Sequence, residues 1–171
     1  MNPVPYQSVE IIAADDQHLL DIQRLAHEVW FDHYPGIITR EQISYMLAKD
    51  YDIESLRRDL SKGIAIDRMI VDDELRGFAA YGPWDAQDFK LHKLYLAKSF
   101  HGLGLGSMLL RHVEEQCSGK GATRLVLSVN KNNHKAIRAY QRNGYAKLES
   151  VVVDIGQGFV MDDFVMGKEL S

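Results

Sequence analysis

Residues 91–107 read LHKLYLAKSFHGLGLGS and are the most informative part of the chain. Alternating apolar residues up to Leu96 are typical of a strand, and the apolar spacing from Leu105 onward predicts a helix, with a glycine-rich turn between them. Glycines let backbone N–H groups come close to a ligand, and a helix N terminus adds unpaired N–H groups and a positive dipole end. The unit therefore favours a phosphate or pyrophosphate ligand, and His101 at the mouth of the turn offers a further donor or partial positive charge.

Two common phosphate-binding motifs do not fit this turn. The dinucleotide fingerprint G-x-G-x-x-G fails because Ser107 stands at its third glycine, and the P-loop fails because no Gly-Lys-Ser/Thr closes the turn. A dinucleotide-binding oxidoreductase is further disfavoured because the chain has a single strand–glycine–helix unit. Taken alone, the turn is also compatible with a tight connection between a strand and a helix.

A second stretch, residues 130–145, reads NKNNHKAIRAYQRNGY. On a helix, Asn133, Ala136, Ile137 and Tyr140 lie three or four residues apart, so they share one face. Asn133 alone fits a helix N-cap, and Tyr140 alone fits a core aromatic. Their joint occurrence about 30 residues after the glycine turn is much less expected than either feature by itself.

Together the two stretches resemble the GNAT superfamily of acetyl-CoA-dependent N-acetyltransferases. The family's pyrophosphate loop, Gln/Arg-x-x-Gly-x-Gly/Ala, corresponds to HGLGLG at residues 101–106, with histidine in place of the usual Gln or Arg. The family's Asn-x-x-Ala-x-x-x-Tyr motif, followed by Gly-Phe/Tyr, corresponds to residues 133–145. The resemblance covers nearly the whole chain, and WFDHYPG at residues 30–36 and ISYML at residues 43–47 look like a subgroup that contains polyamine and diamine acetyltransferases.

The resemblance implies an α/β (α+β) fold in which helices flank a mixed central sheet of about six to seven strands. It implies one acetyltransferase domain over residues 1–171, with a splayed pair of strands that holds the arm of CoA. Backbone groups of the strand before the turn would pair with the pantetheine, and N–H groups of the turn would hold the pyrophosphate. The residues implied to contact acetyl-CoA are Leu94, Tyr95, Leu96, His101, Gly102, Leu103, Gly104, Leu105, Gly106, Ser107, Asn133, Ala136 and Tyr140.

The implied chemistry is direct transfer of an acetyl group to a primary amine of a small molecule, polyamine-like, or of a peptide. Tyr140 would be the general acid for the departing thiolate, since a phenol of pKa about 10 and a thiol of pKa about 8.5 are closely matched. A strand N–H would stabilise the developing oxyanion, worth roughly 3–4 kcal/mol in comparable sites. Cys117 is disfavoured as a nucleophile because it falls on an apolar helix face. The alternative function is a catalytically silent acyl-CoA-binding regulatory module.

The acceptor side is left open by the sequence. His92 on the strand, Asp85 in the preceding loop and Glu28 on the first helix are candidate bases, and His92 also fits an ordinary strand histidine. The candidate walls of the acceptor pocket are Trp30, Tyr34, Tyr81 and Trp84. Aromatic cages suit cationic amines, whereas aromatic packing between a helix and a sheet is the more common use of such residues.

Composition sets the outer limits. With 171 residues, 46% hydrophobic and 26% charged, and a net charge of -4, the chain fits one globular domain and excludes a disordered protein or a general nucleic-acid binder. A lone cysteine excludes an intrachain disulfide. The sequence has no apolar run of the length that predicts a membrane span, and its first residues lack the basic and apolar parts of a signal peptide. We therefore expect a cytoplasmic protein that needs no metal and binds neither membrane nor nucleic acid.

Patterns along the chain predict helices first, then a strand meander, then alternating strands and helices. Thr39 and Gln42 fit a capping box at the start of the second helix. A hairpin strand is predicted from Leu75 to Tyr81, with Gly82-Pro83 ending it. The C-terminal residues 145–170 predict one or two strands around a Gly-Gln-Gly turn, which could pair across a homodimer.

Overall fold

The computed structural model describes residues 4–171 as a seven-stranded sheet with five α-helices. In chain order the elements are β1 Val9–Ala13, α1 Leu19–His33, α2 Arg40–Asp50, α3 Ile53–Ser61, β2 Ala65–Val71, β3 Glu74–Asp85, β4 Asp88–Leu96, α4 Leu105–Gly119, β5 Arg124–Asn130, α5 His134–Arg142, β6 Ala146–Gly156 and β7 Phe159–Glu169. Of the helices in residues 4–171, none combines the length and the apolar character needed to cross a membrane.

The strand order is β1-β2-β3-β4-β5-β7-β6, and the β4–β5 pair is the parallel one. The predicted mixed sheet flanked by helices is confirmed. β6 and β7 form the predicted C-terminal hairpin, in which β6 lies at the edge of the sheet. The homodimer expected from this hairpin stays a prediction.

β4 and β5 pair over only part of their length. Their last parallel pair is Leu91 with Leu127, although β4 continues to Leu96 and β5 continues to Asn130. Beyond that pair, β4 stays bonded to β3 and β5 stays bonded to β7, so each strand keeps one free edge. This divergence is the splayed strand pair that the resemblance implies.

Two apolar cores lie on opposite faces of the sheet. The α4 core contains Leu105, Leu109, Val113 and the fully buried Cys117, with α5 packed beside it. The helical-layer core is built by α1, α2 and α3 against the other face. α1 buries its residues at the predicted spacing of three and four: Leu19, Ile22, Leu25, Ala26, Val29 and Trp30.

Two predictions about the end of β3 were wrong, namely where the strand ends and that Asp85 lies in a loop. β3 does not end at Gly82-Pro83 but continues to Asp85, which therefore lies on a strand rather than in a loop. Its pairing with β2 ends at Tyr81, so the following residues have a free edge where a proline without an N–H is tolerated.

The capping box at α2 is half formed. The Thr39 side chain accepts from the Gln42 N–H at 3.1 Å, as predicted. The Gln42 side chain does not return to Thr39 but donates to the Val160 carbonyl at 2.9 Å, because it is buried between α2 and β7. It therefore ties the helical layer to the end of the sheet.

Candidate active site

The glycine turn presents unpaired backbone donors to open space. Gly102 and Gly104 have φ values of +77° and +80°, a conformation that favours glycine, and Gly104 is the N-cap of α4. The first helical bond runs from Met108 N–H to Gly104 O, so the N–H groups of residues 105–107 have no partner within the helix. A Cβ built on Gly102, Gly104 or Gly106 meets no atom within 4 Å, so a ligand can approach this backbone closely.

The free edge of β4 offers further backbone groups. Ala97 N–H donates to Arg76 O on β3 at 2.7 Å. Because bonding alternates along an antiparallel pair, the backbone groups of Leu96 and Leu94 point to the opposite edge, which faces the gap between β4 and β5. Leu94, Tyr95 and Leu96 thus lie where the pantetheine arm was expected, with the Tyr95 side chain in the helical-layer core.

His101 fixes the turn to its neighbours. Its Nε2 lies 2.8 Å from Leu96 O, and its Nδ1 lies 2.8 Å from Lys135 Nζ. Since Leu96 O can only accept, we assign the proton to Nε2, and Nδ1 then accepts from the lysine. The ring is thereby committed to β4 and α5, and the charge nearest the turn belongs to Lys135. A cavity of about 60 Å³ lies beside this group, lined by Val29, Asp32, His33, Leu96, Lys98, His101 and Lys135.

Asn133 joins two distant segments. It is the N-cap of α5, as the sequence suggested, and its Oδ1 accepts from Ala136 N–H at 3.4 Å. The same oxygen accepts from His33 Nε2 at 3.0 Å, which connects the last turn of α1 with the first turn of α5. Burial lowers the pKa of His33, so the ring stays neutral at neutral pH. His33 was not singled out in the sequence, because its partner lies 100 positions away.

Tyr140 carries a hydroxyl with no hydrogen-bond partner among the described residues. Its ring packs edge-on against Tyr145 with centroids 5.7 Å apart. Burial raises the pKa of Tyr140 to about 12. Its phenol also lies near enough to Tyr34 and Tyr95 to raise their pKa values, which burial already holds well above the ordinary range. Three phenols from α1, β4 and α5 therefore gather at the gap between β4 and β5.

Trp30 and Tyr34 belong to one aromatic group in the helical-layer core. Their ring centroids lie 4.3 Å apart, and Trp30 also approaches Tyr51 and Tyr95 at 5.6 and 5.8 Å. The Tyr34 and Tyr95 hydroxyls are hydrogen-bonded to each other at 3.1 Å. The group is mainly buried packing, and Tyr34 and Tyr95 are its two members whose pKa values Tyr140 affects.

The structure does not bring Tyr81 to this group. Tyr81 lies in the α4 core on the other face of the sheet, where its hydroxyl donates to Asp67 Oδ2 at 2.7 Å. The same carboxylate oxygen is bonded to His112 Nε2 at 2.8 Å. Tyr81 is therefore a core residue and not a wall of an acceptor pocket beside Tyr34.

His92 lies at a bulge in β4. The pairing with β3 passes from Lys93 to Leu91, which leaves His92 as the extra residue. Its ring lies 5.9 Å from that of Trp84, which is 57% exposed. Burial, reinforced by Lys90 and Lys93, lowers the pKa of His92 to about 4. The imidazole is therefore neutral at pH 7 but a weak proton acceptor.

The other two candidate bases stand apart. Glu28 is exposed on α1, one position from the buried Val29, and Asp85 is exposed where β3 turns into β4. Among residues 4–171, neither carboxylate is hydrogen-bonded to Tyr34, Tyr95 or Tyr140. Within the same range, no three His, Cys, Asp or Glu side chains form a group that could hold a metal ion.

The sequence reasoning missed Asp163. This β7 residue is 4% exposed, and its Oδ1 has no hydrogen-bond partner in the part of the chain that the structure describes. Burial raises the pKa of Asp163 to about 6, Asp162 adds to the shift, and Lys90 and Lys131 oppose it. A signal was present, since alternation places Asp163 on the same inward face as Met161.

Comparison with known proteins agrees with this geometry. A profile described as the Acetyltransferase (GNAT) family matches residues 20–145. An uncharacterised N-acetyltransferase of Mycobacterium tuberculosis is 32% identical over 99 residues, covering 58% of this chain and 63% of the relative. The streptothricin acetyltransferase of Streptomyces lavendulae is 38% identical over 77 residues, covering 44% of this chain and 40% of the relative. The chain thus spans less than two thirds of the length of these relatives.

One solved structure is similar over almost its full length. The PaiA N-acetyltransferase of Thermoplasma acidophilum, in complex with coenzyme A, superposes with a TM-score of 0.81 at 25% identity. The match covers 95% of this chain and 99% of that protein.

Proposed function

The chain belongs to the acetyltransferase (GNAT) family, and we propose that it transfers the acetyl group of acetyl-CoA directly to a primary amine of a small molecule, polyamine-like, or of a peptide. One observation carries this function: beyond Leu91 and Leu127 the two parallel strands part, beside a glycine turn whose N–H groups face open space. Coenzyme A in the similar PaiA structure supports the same ligand here.

The residues present fit acetyl-CoA. The free N–H groups of residues 105–107 suit the pyrophosphate and add no formal charge, so a net charge of -4 does not oppose phosphate binding. The backbone groups of Leu94 and the Leu96 N–H at the open edge suit the amides of the pantetheine arm, which would add to the sheet like a further strand, whereas Leu96 O already accepts from His101. Lys135, beside the turn, supplies a positive charge for the phosphates.

Tyr140 donates a hydrogen bond to the sulfur as the thiolate departs. Its free hydroxyl and its position at the gap between the strands support this role. Because its pKa is about 12, the phenol stays protonated at neutral pH, and hydrogen-bond donation is favoured over complete proton loss.

Direct transfer is supported by the state of the only cysteine. Cys117 is fully buried in the α4 core, and burial raises its pKa to about 12. A thiol that is protonated and enclosed is neither nucleophilic nor accessible. The amine is therefore the group that attacks the acetyl carbon.

Two measurements test this function. Thermal unfolding with CoA, acetyl-CoA and NAD should show stabilisation by both CoA species and none by NAD, about 2.7 kcal/mol for a ligand at 100 times its dissociation constant. Release of free thiol is then followed with polyamines, amino acids, aminoglycosides and short peptides. Stabilisation without thiol release from any amine would favour the silent acyl-CoA-binding module, and no stabilisation by CoA would defeat both functions.

A further inference from the structure

We propose that Asp163 is the residue that receives the ammonium group of the acceptor and accepts its proton, because its buried, unpartnered carboxylate lies on the helical-layer face of β7, across β5 from the gap between β4 and β5. This role presupposes the acetyl transfer proposed above. The proposal assigns the acceptor side of the site to β7. None of the candidate bases that the sequence suggested lies on that strand.

Strand pairing places Asp163 across β5 from the gap, at the level where β4 and β5 have already parted. It lies opposite Asn130, the last residue of β5, which is three positions beyond the final β4–β5 pair at Leu127. Its side chain points to the same face of the sheet as Met161, which packs against the helical layer. The charge of Asp163 also contributes to the raised pKa of Tyr34, so the carboxylate and this phenol share one space.

Lys90 and Lys131 lower the pKa of Asp163, but neither ammonium group is hydrogen-bonded to its carboxylate. Lys131 is bonded to Asp162 at 2.6 Å, on the opposite face of β7. Lys90 of β4 lies on the same face of the sheet as Asp163, because its neighbours Phe89 and Leu91 point into the α4 core. Its ammonium is 4.0 Å from the centre of the Trp84 ring. The facing group on α1 is Tyr34, a neutral phenol. A carboxylate that is 4% exposed, with Oδ1 lacking any partner among residues 4–171, is costly to keep ionised and implies a partner that arrives with the ligand.

A primary ammonium is the partner that fits this carboxylate. It carries the opposite charge and three N–H donors, so it satisfies both carboxylate oxygens without other acidic residues. A divalent cation would need several oxygen or nitrogen ligands, and no such group gathers in the part of the chain that the structure describes.

The proton balance is simple. Asp163 takes one proton from the ammonium, which leaves a neutral amine with a free electron pair. That pair forms the C–N bond to the acetyl carbon while the electron pair of the C–S bond goes to sulfur. The remaining extra proton on nitrogen passes to sulfur beside Tyr140, and the protonated Asp163 releases its proton to solvent, so one proton is released per turnover.

The test compares Asp163→Asn with Asp162→Asn. The two substitutions make the same chemical change at adjacent positions of β7, but Asp162 is exposed and points to the other face. With the best amine of the panel, Asp163→Asn should lower kcat/KM for the amine at least tenfold, while the KM for acetyl-CoA stays within twofold. The wild-type kcat/KM should fall below a pH near 6, and this break should be absent in Asp163→Asn.

Asp162→Asn should change both parameters less than twofold. Wild-type-like kinetics of Asp163→Asn, or an equal loss in both variants, would overturn the role of Asp163 while leaving the acetyltransferase function standing. Stabilisation of Asp163→Asn by acetyl-CoA shows that the variant is folded and that the cosubstrate site is intact.

If the wild type releases no thiol with any amine, the proposed function fails but the binding role of Asp163 is still decided. The same amines are then added in the presence of CoA, and thermal unfolding is measured for wild type and Asp163→Asn. An amine that stabilises the wild type and not the variant supports the assignment of Asp163 as the ammonium site. If no amine distinguishes the two proteins, the assignment is wrong.

Discussion

Replacing Asp163 by Asn should raise the free energy of unfolding at neutral pH while lowering kcat/KM for the amine. A buried carboxylate without a partner lowers the free energy of unfolding when it is ionised. The amide has nearly the same shape and carries no charge, so the electrostatic penalty disappears. Gain of stability with loss of activity is the expected pattern for a charge that is retained to bind a ligand.

The magnitude follows from the pKa of Asp163. Folding raises it from an ordinary 3.8 to about 6, so between these values the folded state holds a proton that the unfolded chain has released. The free energy of unfolding therefore falls as the pH rises through this window and is constant above it. At 1.36 kcal/mol per pH unit, the ionised carboxylate costs on the order of 3 kcal/mol at pH 7. For a protein of this size that corresponds to roughly 6–12 °C in Tm.

The assay is urea or thermal unfolding of wild type, Asp163→Asn and Asp162→Asn at pH 7 and pH 4. Asp163→Asn should be more stable than wild type at pH 7, and the difference should shrink toward zero at pH 4, where the wild-type carboxyl is protonated. Asp162→Asn loses an exposed ion pair with Lys131 and should be less stable by at most about 1 kcal/mol. An Asp163→Asn variant less stable than wild type at pH 7, or a gain equally large at both pH values, would refute the unpaired buried charge.

Four further substitutions, one of them a control at Gly63, test other predictions. Tyr140→Phe should lower kcat at least tenfold with little change in acetyl-CoA affinity, because the ring still packs on Tyr145 and only the hydroxyl is lost; unchanged turnover at saturating substrates would exclude its role. Gly104→Ala and Gly63→Ala strain backbones at φ +80° and +86°, so each should cost about 1–2 kcal/mol of stability, but only Gly104→Ala should weaken CoA in a thermal-shift titration. Tyr81→Phe removes the bond to Asp67 and should cost about 1 kcal/mol in urea unfolding without altering amine selectivity, and a change in selectivity would contradict its place in the α4 core.

The sequence was most informative where a function lies within one continuous segment. The turn at residues 101–107 and the helix start at Asn133 are local, so glycine content and capping chemistry predict their backbone geometry. The predicted end of β3 at Gly82-Pro83 was wrong, because proline ends a strand only where its missing N–H would have been paired with a neighbouring strand. Here the strand has lost its β2 neighbour by that point, a fact set by the length of another strand.

The acceptor side was less predictable because it is assembled from distant segments. Tyr81 and Tyr95 are both strand tyrosines in apolar surroundings, yet they point to opposite faces. The bulge at His92 breaks the period-2 alternation in β4, so counting residues along the strand cannot assign a face on both sides of it. Asp163 comes near the proposed site only through the pairing of β7 with β5, and Lys131 pairs with Asp162 instead because alternation turns these two neighbours to opposite faces.

The last turn of α1 connects the two sides of the site. His33 donates a hydrogen bond to Asn133, the N-cap of the helix that carries Tyr140. Tyr34 is hydrogen-bonded to Tyr95, and the charge of Asp163 contributes to the raised pKa of Tyr34. Two adjacent residues at the end of α1 therefore contact the proposed CoA side and the proposed acceptor side. Substitution of His33 should therefore affect the start of α5 first, whereas substitution of Tyr34 should affect the hydroxyl pair with Tyr95, although the two residues are neighbours in the chain.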